Sequence, residues 1–458
     1  MSLLGATQFV KPHIVEVVPY HYVFMAFCKR RWIGCRLLDV LDKEFNFDEM
    51  DVIVQRILSG QIKVNGDKVS TDYILRDSDL LEHSVHRHEL PILDKSIDVV
   101  FEDDEVLVVN KPPSMPIHPC GQYHHNSLVK ILHNEVGMKN LRAIHRLDRM
   151  TSGLVLIGKT HEAAMKISCQ ISDREVSKFY IAEVEGQFKG PTDASPAETT
   201  TPIPVVVDQP LGRLNSRLGL NAVIPESEGG KPAKTSFVPL LWKKPKDADD
   251  RGSTVVLCRL YTGRTHQVRI HLQYLGFPIV DDPLYNSYDW GESKGAFAKY
   301  REPRSELIAA LAASRNRSTY LKTAITDQVV EMPKAKKATV KDDGDGEDDT
   351  EDDTTSEEAY LSPPKISRLS PRLGIRYYTE AAVDEATRGL LEAAYNADCP
   401  DCNRRFPDPK PSDLVLHLHA YRYTGSSWSY SVPPPEWAFE SIQLDELEAR
   451  IVERLPLL

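Results

Sequence analysis

A short charged run near the middle of the chain carries the strongest indication of chemistry. It reads His145-Arg146-Leu147-Asp148-Arg149-Met150-Thr151-Ser152-Gly153. Asp148 lies among two arginines and a histidine, and nearby positive charge lowers the pKa of a carboxyl group. This carboxylate should therefore stay ionised and act as a base or a nucleophile rather than as an acid. The alternative is a surface turn with a purely structural Asp–Arg pair.

Two later segments accompany this run. One is Lys178-Phe179-Tyr180-Ile181-Ala182-Glu183-Val184-Glu185-Gly186, and the other is Gly263-Arg264-Thr265-His266-Gln267-Val268-Arg269-Ile270-His271. Together the three segments closely resemble the three motifs of RNA pseudouridine synthases of the RluA family. The resemblance extends to His86-Arg87-His88-Glu89 and to the region from Cys399 through Trp437, which look like the eukaryotic branch of that family.

The resemblance implies three catalytic residues. Asp148 is the catalytic aspartate, and Tyr180 lies against the target base, for which a flat ring with a polar edge is suited. Arg264 pairs with Asp148, because a guanidinium can hold a carboxylate in a fixed geometry and keep it charged. If Tyr180 is considered by itself, the alternative is that it is an ordinary aromatic residue of a strand with no role in catalysis.

Further residues of these motifs are expected to contact RNA. Arg146 is the family's candidate for filling the space that a flipped base leaves, and His145 is expected to orient the loop. For His266, Arg269 and His271, hydrogen bonding in the core is an equal alternative. The complete predicted set is His145, Arg146, Arg149, Thr151, His266, Gln267, Arg269 and His271.

The implied reaction is isomerisation of uridine to pseudouridine, and it requires no cofactor. The bond between uracil nitrogen 1 and the ribose breaks, the base turns, and carbon 5 rejoins the ribose. The target base must first leave the RNA stack, which costs less in a loop. Because the eukaryotic branch includes fungal synthases that act on the tRNA anticodon loop, tRNA is the favoured partner. The alternatives are rRNA or mRNA, or a catalytically idle RNA-binding protein.

Composition places the chain among intracellular globular proteins. Of the 458 residues 41% are hydrophobic, which is enough for a sizeable core. No apolar run approaches the roughly 20 residues that span a bilayer, and no signal peptide is evident. Seven cysteines with wide spacing fit a reducing compartment. We expect a monomer without membrane contact, and the cytoplasm, nucleus and mitochondrion all remain open.

The net charge of −11 does not argue against RNA binding. Residues 342–358 contain eleven Asp or Glu and no Lys or Arg, so the rest of the chain is neutral overall. Blocks of like charge are usually solvated and disordered. The negative net charge therefore comes from a linker and not from the part of the chain that is expected to fold.

Composition and periodicity divide the chain into segments, and the resemblance adds the fold class. It implies an α+β fold with a mostly antiparallel mixed sheet, preceded by a small αL RNA-binding-like module. A structural platform without RNA affinity is the alternative for that module. The predicted segments are a lead-in (1–34), the small module (35–90), the catalytic domain (91–300, with an insertion at about 187–235), a charged linker (301–375) and a C-terminal extension (376–458).

The C-terminal extension contains the residues of a weak candidate zinc site. Cys399-Pro400-Asp401-Cys402 is followed by His417 and His419. Two cysteines and two histidines can bind Zn²⁺ tetrahedrally, although a single Cys-x-x-Cys pair is a weak signal.

Overall fold

A computed structural model of the chain describes residues 8–11, 13–45, 50–188, 202–215, 219–248, 250–317, 385–396, 399, 401–402 and 409–458. Most of the predicted charged linker, including the acidic block at 342–358, lies outside the described residues. The first part of that segment forms a helix, Arg304–Arg317. Of the helices described, none has the length and apolar character needed to cross a bilayer.

The structure mixes strands and helices in an α+β arrangement. Its strands are β1 (Gln8–Lys11), β2 (Ile14–Val17), β3 (Tyr20–Phe27), β4 (Ile62–Val64), β5 (Asp67–Lys68), β6 (Leu80–Arg87), β7 (Ile92–Leu93), β8 (Asp98–Glu102), β9 (Val106–Lys111), β10 (Arg142–Ala143), β11 (Ser152–Gly158), β12 (Ser177–Glu185), β13 (Val205–Asp208), β14 (Leu211–Asn215), β15 (Leu220–Val223), β16 (Lys234–Lys243), β17 (Ser253–Leu260), β18 (Leu418–Thr424) and β19 (Ser429–Ser431). Its α-helices are α1 (Leu37–Val40), α2 (Met50–Ser59), α3 (Leu128–Val136), α4 (His161–Ser172), α5 (Gln267–Tyr274), α6 (Arg304–Arg317), α7 (Glu385–Ala394) and α8 (Leu444–Arg454).

Ten of the described strands form one main sheet. Eight of them follow the order β13-β16-β17-β12-β18-β11-β9-β8, while β10 pairs with β11 and β19 pairs with β18. All these pairs are antiparallel except β11–β18. The prediction of a mostly antiparallel mixed sheet is therefore confirmed.

The centre of the main sheet is covered on both faces. Every residue of β11 is buried, and the apolar part of β9 is buried with it. Continuous apolar runs of this kind are typical of strands that have packing partners on both sides. The main core that contains them also includes apolar residues of α3 and α4. Thr160 caps α4, since its hydroxyl oxygen accepts the backbone N–H of Ala163 at 3.1 Å.

The C-terminal extension supplies a central strand of the main sheet. Strand β18 lies between β11 and β12, with Gly153 opposite Ala420 in the parallel pair. Gly153 has a φ of +108°, and a Cβ added there would overlap the backbone of Ala420. Only glycine allows the two strands to approach this closely. Strand β18 of the C-terminal extension is therefore integral to a sheet whose other strands, except β19, come earlier in the sequence. A division of the chain into consecutive segments does not reveal this relationship.

The small module combines α1 and α2 with a four-stranded sheet in the order β3-β6-β4-β5. Its β3 comes from the predicted lead-in and pairs with β6 along its whole length. Asn65 and Gly66 both have positive φ at the turn between β4 and β5, the backbone conformation that an Asn-Gly hairpin turn requires. A core of its own surrounds Trp32, Ile53 and Ile57.

The described part of the predicted insertion is ordered around the main sheet. Strand β13 extends one edge of that sheet by pairing with β16, and β14 and β15 form a separate hairpin. Apolar residues of β15 pack with α5 and α6 in a second core around Trp290. This packing fixes the position of α5, whose first turn approaches the loop that carries Asp148.

Candidate functional site

Asp148 lies in the loop between β10 and β11, at the end of a buried strand. Its backbone carbonyl accepts the N–H of Thr151 at 3.0 Å, which forms a tight turn ahead of β11. The Asp148 side chain is 16% exposed, so it is partly shielded yet accessible from outside. A carboxylate in this position can meet a ligand while the protein fixes its surroundings.

The guanidinium that faces Asp148 belongs to Arg269. Its Nη1 lies 3.7 Å from Asp148 Oδ2. Its Nε and Nη2 donate to the two carboxylate oxygens of buried Asp282, at 2.7 and 2.9 Å, and the ring of Tyr285 lies 4.9 Å beneath the guanidinium. Burial alone would raise the pKa of Asp282, but the charge and hydrogen bonds of Arg269 outweigh that effect and lower it. Arg269 is therefore held as a permanent cation with one nitrogen directed to Asp148.

His266 is a second neighbour of Asp148. It has a φ of +58° at the residue before α5, and this backbone conformation brings its side chain inward. Its Nδ1 hydrogen-bonds with the Tyr285 hydroxyl at 2.9 Å, and its Nε2 lies 3.8 Å from Asp148 Oδ2. Burial, reinforced by the charge of Arg269, lowers the pKa of His266 to about 4. The imidazole is thus neutral at pH 7, and among the described residues its Nε2 has no hydrogen-bond partner.

The ion pair predicted between Arg264 and Asp148 is wrong. Arg264 precedes α5, and its Nε donates to the Pro232 carbonyl at 3.2 Å, while its backbone N–H donates to Gln267. The described contacts of Asp148 include Arg269 and His266 but not Arg264. Arg269 is buried within α5, whereas Arg264 lies ahead of that helix, where its side chain bonds to the Pro232 carbonyl.

Tyr180 lies on β12 and shares its hydroxyl with Tyr423 of β18 through a short hydrogen bond. Both tyrosines are buried, and burial raises the pKa of both. The negative charge of Asp148 further raises the pKa of Tyr180. Sequence reasoning missed Tyr423; its only signal was an aromatic residue in an alternating segment of the C-terminal extension.

His145 and Lys178 lie beside this tyrosine pair. The Nε2 of His145 accepts the backbone N–H of Leu156 at 3.0 Å, and its ring lies 4.8 Å from that of Tyr423. Burial, with the charge of Lys178, lowers the pKa of His145 to about 3. Burial also lowers the pKa of Lys178 to about 8. His145 is thus a neutral acceptor that ties the loop to β11, and Lys178 is a basic group that sequence reasoning did not single out.

Several predicted RNA contacts are buried within the protein and are wrong as surface contacts. Arg149 is 1% exposed and lies over the ring of Tyr123. The Gln267 amide nitrogen donates to the Lys234 carbonyl and the Thr235 hydroxyl, and its amide oxygen accepts from the Thr262 hydroxyl and the Arg264 backbone N–H. His271 bonds with the Thr235 hydroxyl and the Gln209 carbonyl. Thr151 is 2% exposed. For His271, core hydrogen bonding is therefore the correct alternative.

The predicted zinc ligands do not come together. His417 stacks on Trp437 and contacts the carboxylates of Glu183 and Asp281 at 3.1 and 3.2 Å. His419 bonds with Ser152 Oγ and the Pro433 carbonyl. Neither histidine belongs to the described cluster that contains Cys399 and Cys402. This ligand set is wrong.

The comparisons with known proteins agree with this geometry. Residues 105–274 match the family described as RNA pseudouridylate synthase. The chain is 34% identical over 436 residues to the human pseudouridylate synthase RPUSD2, covering 94% of this chain and 74% of that protein. It is 32% identical to the Saccharomyces cerevisiae mitochondrial tRNA pseudouridine(32) synthase, covering 92% and 76%. It is 28% identical to the tRNA pseudouridine(31) synthase of the same yeast, covering 92% and 95%. This chain belongs to the RNA pseudouridylate synthase family and is an isomerase that converts uridine to pseudouridine in RNA.

Proposed function

We propose that this enzyme isomerises a uridine in the anticodon loop of tRNA and that Asp148 is its acting carboxylate. Two relatives that match more than nine-tenths of this chain are named for tRNA positions 31 and 32. The observation that carries the catalytic assignment is the direction of Arg269 and His266 toward one partly exposed carboxylate oxygen. A single chain provides all these groups, which supports action as a monomer.

The Asp148 carboxylate lies beside the fixed positive charge of Arg269. It either attacks ribose carbon 1′ or removes the 2′ proton, and in both routes the bond from carbon 1′ to nitrogen 1 breaks. The freed uracil turns and carbon 5 bonds to carbon 1′. In the first route this step breaks the bond between Asp148 and carbon 1′, and in the second route Asp148 returns its proton to carbon 2′. Carbon 5 then loses its proton and nitrogen 1 gains one, so the product is an isomer of the substrate. An anionic carboxylate next to a developing positive charge on a sugar also serves glycosidases.

The residues around Asp148 hold the uracil near the ribose while the two are separated. Tyr180, fixed by Tyr423, is our candidate for the aromatic side chain that contacts the uracil. The neutral His266 provides a nitrogen without a described hydrogen-bond partner. Arg146 is exposed on the same loop as Asp148, and it is our candidate for occupying the stack after the base leaves. Lys178 is our candidate for a phosphate contact, since its charge would be stabilised by an anion.

The test uses purified enzyme with full-length tRNA transcripts that carry tritium at uracil carbon 5. We expect tritium release from these tRNA transcripts, and nucleotide-resolution mapping should place the product in the anticodon loop, with position 32, for which one relative is named, as the first candidate. Asp148→Asn should lower the rate of tritium release by at least about 100-fold, while RNA binding persists. Release from Asp148→Asn would remove the catalytic assignment. Activity only on rRNA or mRNA fragments would retain the chemistry and reject the tRNA target.

A further inference from the structure

A cluster of two histidines and two cysteines lies outside the site that contains Asp148. Its members are His86, His88, Cys399 and Cys402, and their potential ligand atoms all lie within 4.8 Å of one another. The histidines belong to the small module, and the cysteines follow α7 near the start of the C-terminal extension. We propose that this cluster binds a structural Zn²⁺ ion that joins the small module to the C-terminal extension.

The distances within the cluster match a tetrahedral zinc site. Cys399 Sγ lies 3.5 Å from His88 Nε2, while Cys402 Sγ lies 3.5 Å from His86 Nδ1 and 3.4 Å from His88 Nε2. With Zn–S bonds of about 2.3 Å and Zn–N bonds of about 2.1 Å, tetrahedral geometry separates sulfur and nitrogen ligands by about 3.6 Å. Three of the sulfur–nitrogen distances are therefore close to those that the ligands would have around the ion.

The local backbone orients each ligand pair. His86 is the penultimate residue of β6 and His88 directly follows that strand, and residues two apart in an extended chain point to the same face. The backbone N–H of Asn396 donates to Cys402 Sγ at 3.3 Å, and the N–H of Cys399 donates to the Asn396 carbonyl. The Ala394 backbone also hydrogen-bonds to the His86 ring, the kind of outer contact that fixes a histidine ligand.

The donor set selects zinc. Two thiolates and two imidazoles in a tetrahedral arrangement are typical of Zn²⁺, whereas Mg²⁺ and Ca²⁺ prefer oxygen ligands. Binding would release the two thiol protons to solvent. A second group of potential ligands, around Glu89, needs no ion. The Glu89 carboxylate already accepts the hydroxyl of Tyr20 and the backbone N–H groups of residues 124–126.

The proposed ion would cross-link distant parts of the chain. Cys399 and His88 are 311 positions apart, and the chain after Cys402 continues to β18, which carries Tyr423. A metal that joins these segments would hold the C-terminal extension where it enters the main sheet. Because a structural zinc site stabilises only the folded state, its removal should lower stability even without RNA present.

The test measures zinc in full-length protein purified under reducing conditions from zinc-supplemented medium. We expect about one zinc per chain by mass spectrometry. Cys402→Ser and His88→Ala should retain almost none. Two controls should keep the metal: Cys169→Ser changes an exposed cysteine elsewhere, and His417→Ala changes a histidine of the discarded ligand set. Loss of zinc from His417→Ala but not from His88→Ala would overturn the proposed ligands.

Two further measurements apply even if the ligand variants fail to fold. Wild-type protein loaded with Co²⁺ should show the visible absorption of a tetrahedral site with thiolate ligands. A strong chelator should lower the wild-type Tm, and added Zn²⁺ should restore it. The proposal would be rejected if wild-type protein contained no zinc and its Tm changed neither with the chelator nor with added Zn²⁺. A disulfide between Cys399 and Cys402 in protein isolated without reductant would also reject it. None of these readouts depends on which RNA the enzyme modifies.

Discussion

Arg269 directs one guanidinium nitrogen to Asp148 while Asp282 holds the other side of the same group. The distances are 3.7 Å from Nη1 to Asp148 and 2.7 and 2.9 Å to the two Asp282 oxygens. The shorter bidentate pair fixes the guanidinium plane, so the longer contact to Asp148 is positioned before any substrate arrives. Preorganised charge of this kind is more effective than charge that must be oriented during the reaction.

Arg269→Lys should reduce turnover severely, whereas Arg264→Lys should change it little. Lysine cannot bond to Asp282 in two places and direct a third nitrogen to Asp148. We expect a loss of at least about 100-fold for Arg269→Lys and a fall in the free energy of unfolding of about 1–3 kcal/mol. Single-turnover kinetics and urea unfolding of both variants measure these effects. A severe loss in Arg264→Lys with normal Arg269→Lys would restore the original assignment.

Tyr423→Phe should destabilise the protein by leaving the Tyr180 hydroxyl buried without its partner. An unsatisfied buried hydroxyl costs about 1–3 kcal/mol, whereas replacing both partners with apolar groups costs less. The double variant Tyr180→Phe/Tyr423→Phe should therefore lose less stability than the sum of the single variants. Urea unfolding of the four proteins gives the coupling energy. Additive losses would mean that the two hydroxyl groups do not act as a pair.

Gly153→Ala should destabilise the main sheet far more than Gly137→Ala does. Both glycines have positive φ, but a Cβ at Gly137 would meet open space, while one at Gly153 would overlap Ala420. Gly137→Ala should cost about 1 kcal/mol for its backbone conformation alone. Gly153→Ala should cost about 3 kcal/mol or more in addition, because β11 and β18 must separate. Equal thermal unfolding of the two variants would show that this strand contact contributes nothing.

Stability should fall as the pH decreases from about 6.5 toward 4. Burial, the first cause in each case, lowers several folded-state histidine pKa values from 6.5 to about 4 or about 3. These residues are His83, His124, His145, His266, His271 and His419. The unfolded chain therefore binds more protons than the folded protein in this pH range, so unfolding is favoured as the pH falls.

Each proton taken up on unfolding contributes about 1.4 kcal/mol per pH unit. Urea unfolding at pH 7.5 and 5 measures the slope. His271→Gln, which removes one of the six groups, should reduce that slope by about one proton. A free energy of unfolding that stays constant between these pH values would contradict the burial of neutral histidines.

The amino-acid sequence alone determines which segments carry the chemistry. The run around Asp148 and the segments around Tyr180 and Arg269 are local patterns, and the strands beside them are apolar enough to be predicted directly. The Asn65-Gly66 turn and the Thr160 cap are also local. Such features are visible in sequence because a few neighbouring residues determine their backbone conformation.

Only the tertiary structure decides which distant side chains meet. Because α5 begins after His266, Arg269 faces Asp148 and Arg264 does not. Because β18 enters between β11 and β12, Tyr423 reaches Tyr180 from the far end of the chain. The same long-range packing brings Cys399 and Cys402 to His86 and His88. It does not bring them to the histidines that follow the two cysteines in the sequence. Spacing along a chain gives no distance between segments that hundreds of residues separate, so these contacts depend on the folded sheet.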